Sequence, residues 1–509
     1  MKPAQVLGFL LIVLIGLGLI GSIIPDDGWK VNDDLVIRFP SPSSLLEHSK
    51  EHQVDISEII AMPTDETAIV DPITIVTTDT APDPMNVDPA QVEIADQGAF
   101  TLDTASLAPL EARIALHYPN DDKSVLHPFF ASLVKAKSGK RPIRVVHYGD
   151  SQLEGDRITS YIRNKLQSQF GGSGPGLFPV ADIVPHMSVV RELSPNWDRY
   201  SVMNRKEAGK EHMRYGALSS FSKFTPILPD SVPPDSIEHN ATITLAKGRR
   251  AYSKAQQFNV CRIYFGWHRA PLTLTCEIDG EQIASGSIEP TPSLLEREWR
   301  FSTTPQNITI GMSGRDSPEV YAISLEGTTG VNVDNVAARG GAGYEFGKVD
   351  QQLLKEMLGD LNVKLLILQY GGNVLPHMKS VEDAQKYGRA FGAQIARFKH
   401  MIPGVCVIVI GPSDMSIKEG EDMVTRPFLE DVRDAMKENS IAQGAAFWDL
   451  YEAMGGRGSM VSWVNATPPL AASDFTHFSP QGAKKVGELF YNALINDLAE
   501  WMAKKEELQ

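Results

Sequence analysis

The sequence predicts an α/β protein: a parallel sheet with helices on both faces, interrupted by an inserted β-sandwich and preceded by a transmembrane helix. Three observations predict it. Short apolar runs alternate with segments of helical spacing in two separated stretches. Between those stretches the periodicity changes to two. Near the N-terminus, residues 6–24 are almost wholly apolar. A chain of 509 residues is too long for one compact core. The expected order is a membrane anchor over 1–25, an acidic extracytoplasmic tether over 26–106, a discontinuous α/β domain over 107–185 and 327–509, and the β-sandwich over 186–326.

At helical rise, residues 6–24 span about 28 Å, close to the hydrocarbon thickness of a bilayer. Lys2 lies before them, and Asp26, Asp27, Asp33 and Asp34 follow. That asymmetry points the N-terminus inward and the rest of the chain out, as a single-pass inner-membrane protein with a periplasmic body. A cleaved signal peptide is the rival reading. The apolar stretch is long for one, and no small-x-small cleavage site follows Ile24. Residues 35–39 suit a short strand and 41–52 a short amphipathic helix. Residues 63–104 hold nine acidic residues and no Lys or Arg, so like charges keep this stretch extended.

The α/β pattern begins near Leu107. Helices are expected over 124–136 and 157–170, with a buried strand over 143–148 between them. The glycine-rich run at 171–176 follows a helix rather than a strand and has no Lys-Ser/Thr pair after it, so it reads as a turn and not a phosphate loop. Within the insert, strands are expected over 241–245, 259–265, 272–278, 307–312 and 320–325, with Asp279-Gly280 as a hairpin turn. The alternation then returns. Helices over 348–358, 381–401, 426–439 and 480–504 separate strands over 363–369, 405–411 and 445–450. That order implies a parallel sheet covered on both faces.

A net charge of −15 argues against nucleic acid as a partner. Three cysteines exclude a disulfide scaffold and a cysteine-rich metal site. Cys261 and Cys276 fall on separate expected strands, either as a pair or as two buried thiols. No cluster has metal-ligand spacing.

Ser151 stands in His147-Tyr148-Gly149-Asp150-Ser151-Gln152, straight after an apolar strand. Asn373 stands in Tyr370-Gly371-Gly372-Asn373, after another. Near the C-terminus the chain reads Asp474-Phe475-Thr476-His477. A serine hydroxyl needs an adjacent base, the base needs an orienting carboxylate, and an acyl-transfer oxyanion needs amide donors. These segments supply each part. His147 reads as a core histidine, His377 has no assigned role, and Asp150 caps or orients the loop at Ser151.

These residues resemble the SGNH, or GDSL-type, hydrolases. Gly149-Asp150-Ser151, Gly371-Gly372-Asn373 and Asp474-Phe475-Thr476-His477 match three of the family's blocks in order. The remaining block is a lone glycine, placed at Gly340 with Gly341 as the alternative. Gln152 stands where the family has leucine, a change expected to affect packing more than chemistry. The long gap between the first two blocks is similar to the bacterial peptidoglycan O-acetylesterase branch, which carries a β-rich domain there. The resemblance implies an SGNH-like fold and a serine esterase that needs no cofactor and no metal. Ser151 is the nucleophile, His477 the base and Asp474 its orienter, with Ser151, Gly340 and Asn373 forming the oxyanion hole. It implies an acylated cell-envelope glycan such as peptidoglycan as substrate, with acetyl as the acyl group. Two alternatives stay open. One is an O-acetyltransferase using the same residues, fed by a membrane-bound acyltransferase. The other is a catalytically silent glycan-binding protein. In the insert, Trp267 and Arg269 are candidate substrate-binding residues, since tryptophan offers a flat apolar face to a sugar. A satisfied core tryptophan is the plainer reading.

Overall fold

Six strands form the main sheet of the computed structural model, which describes residues 29–32, 35–37, 54–61, 112–203, 212–229, 231–234 and 236–507, with Gly16 and Leu102 alone outside those segments. Their order across the sheet is Val331–Ala337, Ile143–Gly149, Val363–Gln369, Cys406–Ile410, Ala446–Trp448 and Leu116–His117. The first five are parallel, and the last pairs antiparallel with Ala446–Trp448. Successive residues face opposite layers, as strand geometry requires. Val145, Leu365, Ile367 and Ile408 pack with helices His127–Val134, Thr159–Phe170 and Pro480–Glu507. Val146, Leu366, Leu368 and Val409 pack with helices Gln351–Asp360, Val381–Met401 and Leu429–Ala442 on the other face.

The edge strand Val331–Ala337 is absent from the sequence reading. Its pattern, VNVDNVA, places Asn332, Asp334 and Asn335 where a buried strand normally carries apolar groups. All three are buried and partnered: Asp334 with Arg144 and the Leu177 N–H, Asn332 with Glu326, and Asn335 with the Leu153 carbonyl. Polar residues at core positions hide a strand from hydropathy.

The insert is a sandwich of two antiparallel sheets. One runs Thr291–Arg300, Val260–His268, Glu319–Glu326, Ser220–Lys223, Asp198–Ser201, with Gly176–Phe178 also pairing with Glu319–Glu326. The other runs Glu281–Ile288, Leu272–Ile278, Asn307–Gly314, His239–Lys247, Val189–Leu193. Cys261, Ile263 and Phe265 from the first sheet meet Ile243, Leu274, Cys276 and Ile310 from the second. Cys261 and Cys276 are free, buried thiols, both pushed up by burial, Cys276 to about 12. Strand Gly176–Phe178 joins this sandwich ahead of His186, where the sequence reading starts the insert. The glycine run leads into it. A Cβ on Gly172 or Gly174 would lie 2.3 Å from the Val331 carbonyl oxygen or 2.2 Å from that of Leu325, so only glycine fits this crossing.

The sandwich is not a separate globule. Tyr200, Tyr215, Phe221, Tyr264 and Tyr321 share one apolar core with Val146, Tyr148, Leu354 and Met357 of the main body. Helix Ser57–Ala61 lies within the stretch expected to be a tether, yet Ile56 and Ile59 are buried against the main body. Strands Trp29–Asn32 and Leu35–Ile37 pair antiparallel. Among the described residues no helix is long and apolar enough to cross a membrane. The expected anchor at 6–24, Gly16 apart, and the expected helix at 41–52 lie outside the described residues.

Candidate active site

Parallel strands bring the functional segments to one edge of the sheet. Strand Ile143–Gly149 runs into Ser151, which opens a kinked 3-10 turn, Ser151–Asp156. Strand Val363–Gln369 runs into the 3-10 turn Gly372–His377, which presents Asn373. His477 lies shortly before the last helix, Pro480–Glu507.

Ser151 Oγ lies 2.9 Å from His477 Nε2, and His477 Nδ1 lies 2.7 Å from Asp474 Oδ2. With Nδ1–H donated to the carboxylate, Nε2 turns its lone pair to the serine. The other oxygen, Asp474 Oδ1, accepts the main-chain N–H groups of Thr476 and His477, each at 3.0 Å. One carboxylate thus builds the turn and orients the ring. Burial works to raise the Asp474 carboxyl, but its hydrogen bonds from His477 and Thr476 outweigh that and hold it below the ordinary value. Phe475, between the pair, takes φ of 53°, a region an aromatic residue enters only when its surroundings compel it. The side chains of His477 and Asp474 are 34% and 51% exposed, so water reaches the imidazole.

Sequence reasoning missed what holds this histidine. Gln152 Nε2 donates to the Thr476 carbonyl at 2.7 Å, and Gln152 Oε1 accepts the Phe478 N–H at 3.3 Å. The two bonds bracket His477. Beyond the packing role expected of Gln152, its amide ties the serine loop to the histidine loop. Arg157 adds a second tie, donating to the carbonyls of Ser151 at 2.8 Å and Phe478 at 3.1 Å. The only sequence signal for the first was the departure from leucine itself.

Asp150 accepts the Gln152 N–H at 2.9 Å, as a cap should, and also the Asn373 amide at 3.0 Å. Burial raises its pKa to about 6. Asn373 Nδ2 donates in addition to the Gly341 carbonyl at 3.0 Å. Gly341 is buried, and its own N–H is committed to the Ala338 carbonyl at 2.8 Å. Gly340 is exposed, with φ of 75° and nothing within 4 Å of where a Cβ would stand. Of the two glycines, Gly340 keeps its N–H as the candidate donor, and its glycine is required by the backbone angle rather than by crowding.

His147 is fully buried, 3.1 Å from Gln369 Oε1 and 3.0 Å from Thr159 Oγ1, and burial pushes it down to about 3, a neutral core histidine as expected. His377 is exposed at the end of its turn. Trp267 and Arg269 are not part of this cluster. They line a cavity of about 1000 Å³ in the insert. There the Arg214 guanidinium sits 5.2 Å from the Trp267 ring, and Arg269 is held by Asp316 and by the carbonyls of Pro229 and Val232. Among the described residues no group of His, Cys, Asp and Glu is arranged to hold a metal ion.

Ser151, His477 and Gln152 line a small pocket of about 80 Å³ with Tyr370, Asn373 and Met415. A nucleophile, a base, an orienting carboxylate and an amide donor around so small a space suit the transfer of a small acyl group.

Residues 307–485 match the GDSL-like lipase/acylhydrolase family. The match takes in Gly340, Asn373, Asp474 and His477, with Ser151 ahead of it. This part of the chain is a GDSL-type hydrolase domain. It is an esterase of that family, built on the SGNH-like α/β fold. A structure of a peptidoglycan O-acetylesterase shares the fold, with 18% identity, 73% of this chain and 96% of that chain covered, and a TM-score of 0.55. Looser likenesses include a GDSL-like lipase from Bacteroides ovatus, with 12% identity, 51% and 85% of the two chains covered and a TM-score of 0.23. Another is an acetyl xylan esterase, with 14% identity, 32% and 81% covered and a TM-score of 0.26. These two carry no weight here. No curated protein matches the chain.

Proposed function

We propose that this esterase removes O-acetyl groups from a cell-envelope glycan such as peptidoglycan, held on the periplasmic side of the inner membrane by residues 6–24. The observation that carries the acyl assignment is the pocket beside Ser151. At about 80 Å³ it takes a two-carbon acyl group, whereas sites for larger ligands run to several hundred Å³. The likeness in fold to a peptidoglycan O-acetylesterase supports the choice of polymer. The apolar stretch and the acidic residues after it support the anchor.

In this reading Ser151 Oγ attacks the ester carbonyl carbon while His477 Nε2 takes its proton. The oxyanion meets the N–H groups of Ser151 and Gly340, and the Asn373 amide once one of its two N–H groups turns from Asp150 or the Gly341 carbonyl. Collapse breaks the bond to the sugar oxygen, which leaves with the proton from His477. A water deprotonated by His477 then attacks the acyl-serine and releases acetate. A sugar hydroxyl in place of that water would make the reaction a transfer, the rival outcome. The test is acetate release from O-acetylated peptidoglycan by the wild type and by Ser151→Ala, with an added glycan acceptor. Free acetate from the wild type alone supports the esterase. Acetyl appearing on the acceptor favours the transferase, and equal release from both proteins overturns the role of Ser151.

A further inference from the structure

A second cavity, of about 720 Å³, opens off the other side of the Ser151–His477 pair. Its apolar wall is Val184, Pro185 and Met187, ahead of and at the start of the insert as the sequence reading bounds it. The Met187 N–H donates to the Gly155 carbonyl at 3.1 Å, so this wall is hydrogen-bonded to the serine loop. The insert also supplies a cation. Arg250 stands on a turn closed by the Ala251 N–H on the Gly248 carbonyl at 3.1 Å. That turn is pressed against the wall: a Cβ on Gly248 would lie 2.1 Å from the Met187 carbonyl oxygen.

The charges around this cavity are uneven. Arg157, Arg250 and Arg339 face one carboxylate, Glu154. Arg339 pairs with Glu154 at 2.7 and 2.6 Å, and Arg157 is spent on three main-chain carbonyls. Arg250 is exposed and has no hydrogen-bond or ion-pair partner among the described residues. In a chain of net charge −15, an uncompensated arginine on the cavity it shares with the nucleophile runs against the overall field. The cavity is several times the size of the acyl pocket and offers an apolar wall to the C–H face of a sugar.

Resting on the reading of the chain as a glycan esterase, we propose that this cavity seats the sugar bearing the ester and that Arg250 pairs with a carboxylate on that sugar or on the peptide it carries. Arg250 is then a specificity residue that the inserted domain contributes to the catalytic groove, and the substrate class is an acidic glycan. Guanidinium recognises a carboxylate through paired, charge-assisted hydrogen bonds, which a lysine reproduces only in part.

The experiment compares kcat/KM on acetylated polygalacturonate, on O-acetylated peptidoglycan and on neutral acetylated xylan for the full chain. The variants are Arg250→Ala, Arg250→Glu and Arg250→Lys, each checked by thermal melting. The acidic-to-neutral ratio should fall about tenfold in Arg250→Ala and further in Arg250→Glu, mostly through KM, with partial recovery in Arg250→Lys. Salt should erode the wild-type preference. A larger loss on polygalacturonate than on peptidoglycan places the carboxylate on the sugar, and the reverse places it on the peptide. A ratio that does not move overturns the proposal while leaving the esterase intact. Wild-type protein that cleaves nitrophenyl acetate but none of the polymers overturns the glycan reading itself.

Discussion

The side-chain amide of Gln152 donates to the main-chain carbonyl of Thr476 at 2.7 Å. Its oxygen accepts from Phe478, so one side chain grips the residues on both sides of His477. Ser151 and His477 come from segments more than three hundred residues apart in sequence. Gln152 bridges them, and the base is set from the nucleophile's own loop. A polar clamp of this kind suits a histidine that is partly open to solvent and has little packing to hold it.

Gln152→Leu keeps the volume and removes both bonds. At about 1 kcal/mol for each bond, kcat on nitrophenyl acetate should fall roughly 10- to 100-fold. KM should change little, because the loss is in the aim of His477. An unchanged kcat would make the clamp a packing detail.

Ser151→Ala and His477→Ala should each lower ester hydrolysis by orders of magnitude, and the double variant should be little worse than either. Asp474→Asn should cost up to ~10⁴, since the carboxylate sets the tautomer through its 2.7 Å bond to Nδ1. Fully multiplicative losses would mean that Ser151 and His477 do not act as one unit.

Much of this site was legible because its parts are short and local. Ser151, Asn373 and the Asp474–His477 turn each follow a strand or precede a helix that hydropathy alone reveals, and the turn fits inside four residues. What was not legible depends on contacts between distant segments. Strand Val331–Ala337 is masked by Asn332 and Asp334, whose partners are Glu326, Arg144 and Leu177. The short strands Asp198–Ser201 and Ser220–Lys223 lack a clear alternation and exist because Glu319–Glu326 offers an edge. Arg250 carries no local signal, and its place on the cavity it shares with His477 follows from the fold of the insert.

Asn373→Ala should lower kcat by about 10²–10³ with a smaller effect on KM, as expected for a donor that meets charge only in the transition state. The Asn373 amide also ties Asp150 to Gly341, so the variant should lose some thermal stability as well. Stopped-flow acylation separates the two: a slowed acylation step at a temperature where the fold is intact locates the donor, whereas a loss that follows only the melting curve assigns Asn373 to structure.

Asp150 titrates near 6 when folded and near 3.8 when unfolded, because burial disfavours its charged form. Between those values the folded protein holds a proton that the unfolded chain has released. The contribution is most favourable below about pH 4 and is lost as pH rises through 6, by about 3 kcal/mol in total. Asp150→Asn removes this titration. The stability of the variant relative to wild type, from urea unfolding, should therefore improve by roughly that amount between pH 4 and pH 8. A difference independent of pH would show that Asp150 is not held in its protonated form.

The insert and the main body should unfold together. Arg144, on the strand that leads to Ser151, is buried with Glu326 of the insert and lies 2.6 Å from Asp334 of the neighbouring strand. Around this junction Tyr264 and Tyr321 of the sandwich share a core with Tyr148 and Met357. Replacing the insert by a short linker would strip that core, so excision should give insoluble protein rather than a minimal esterase. Arg144→Met is the cleaner probe. It leaves buried Asp334 without its counter-ion and Glu326 with Arg262 alone, 2.8 Å away, and should cost about 3–5 kcal/mol. Arg144→Met combined with Asp334→Asn should recover part of that loss, since the stranded charge is gone. Trp197 and Trp299 report on the sandwich, and Trp448 and Trp463 on the main body. Single-tryptophan versions should show coincident urea transitions at both places, shifted together by Arg144→Met. Two separate midpoints, with only the sandwich shifted, would make the insert an independent domain and revive excision as a route to the bare catalytic body.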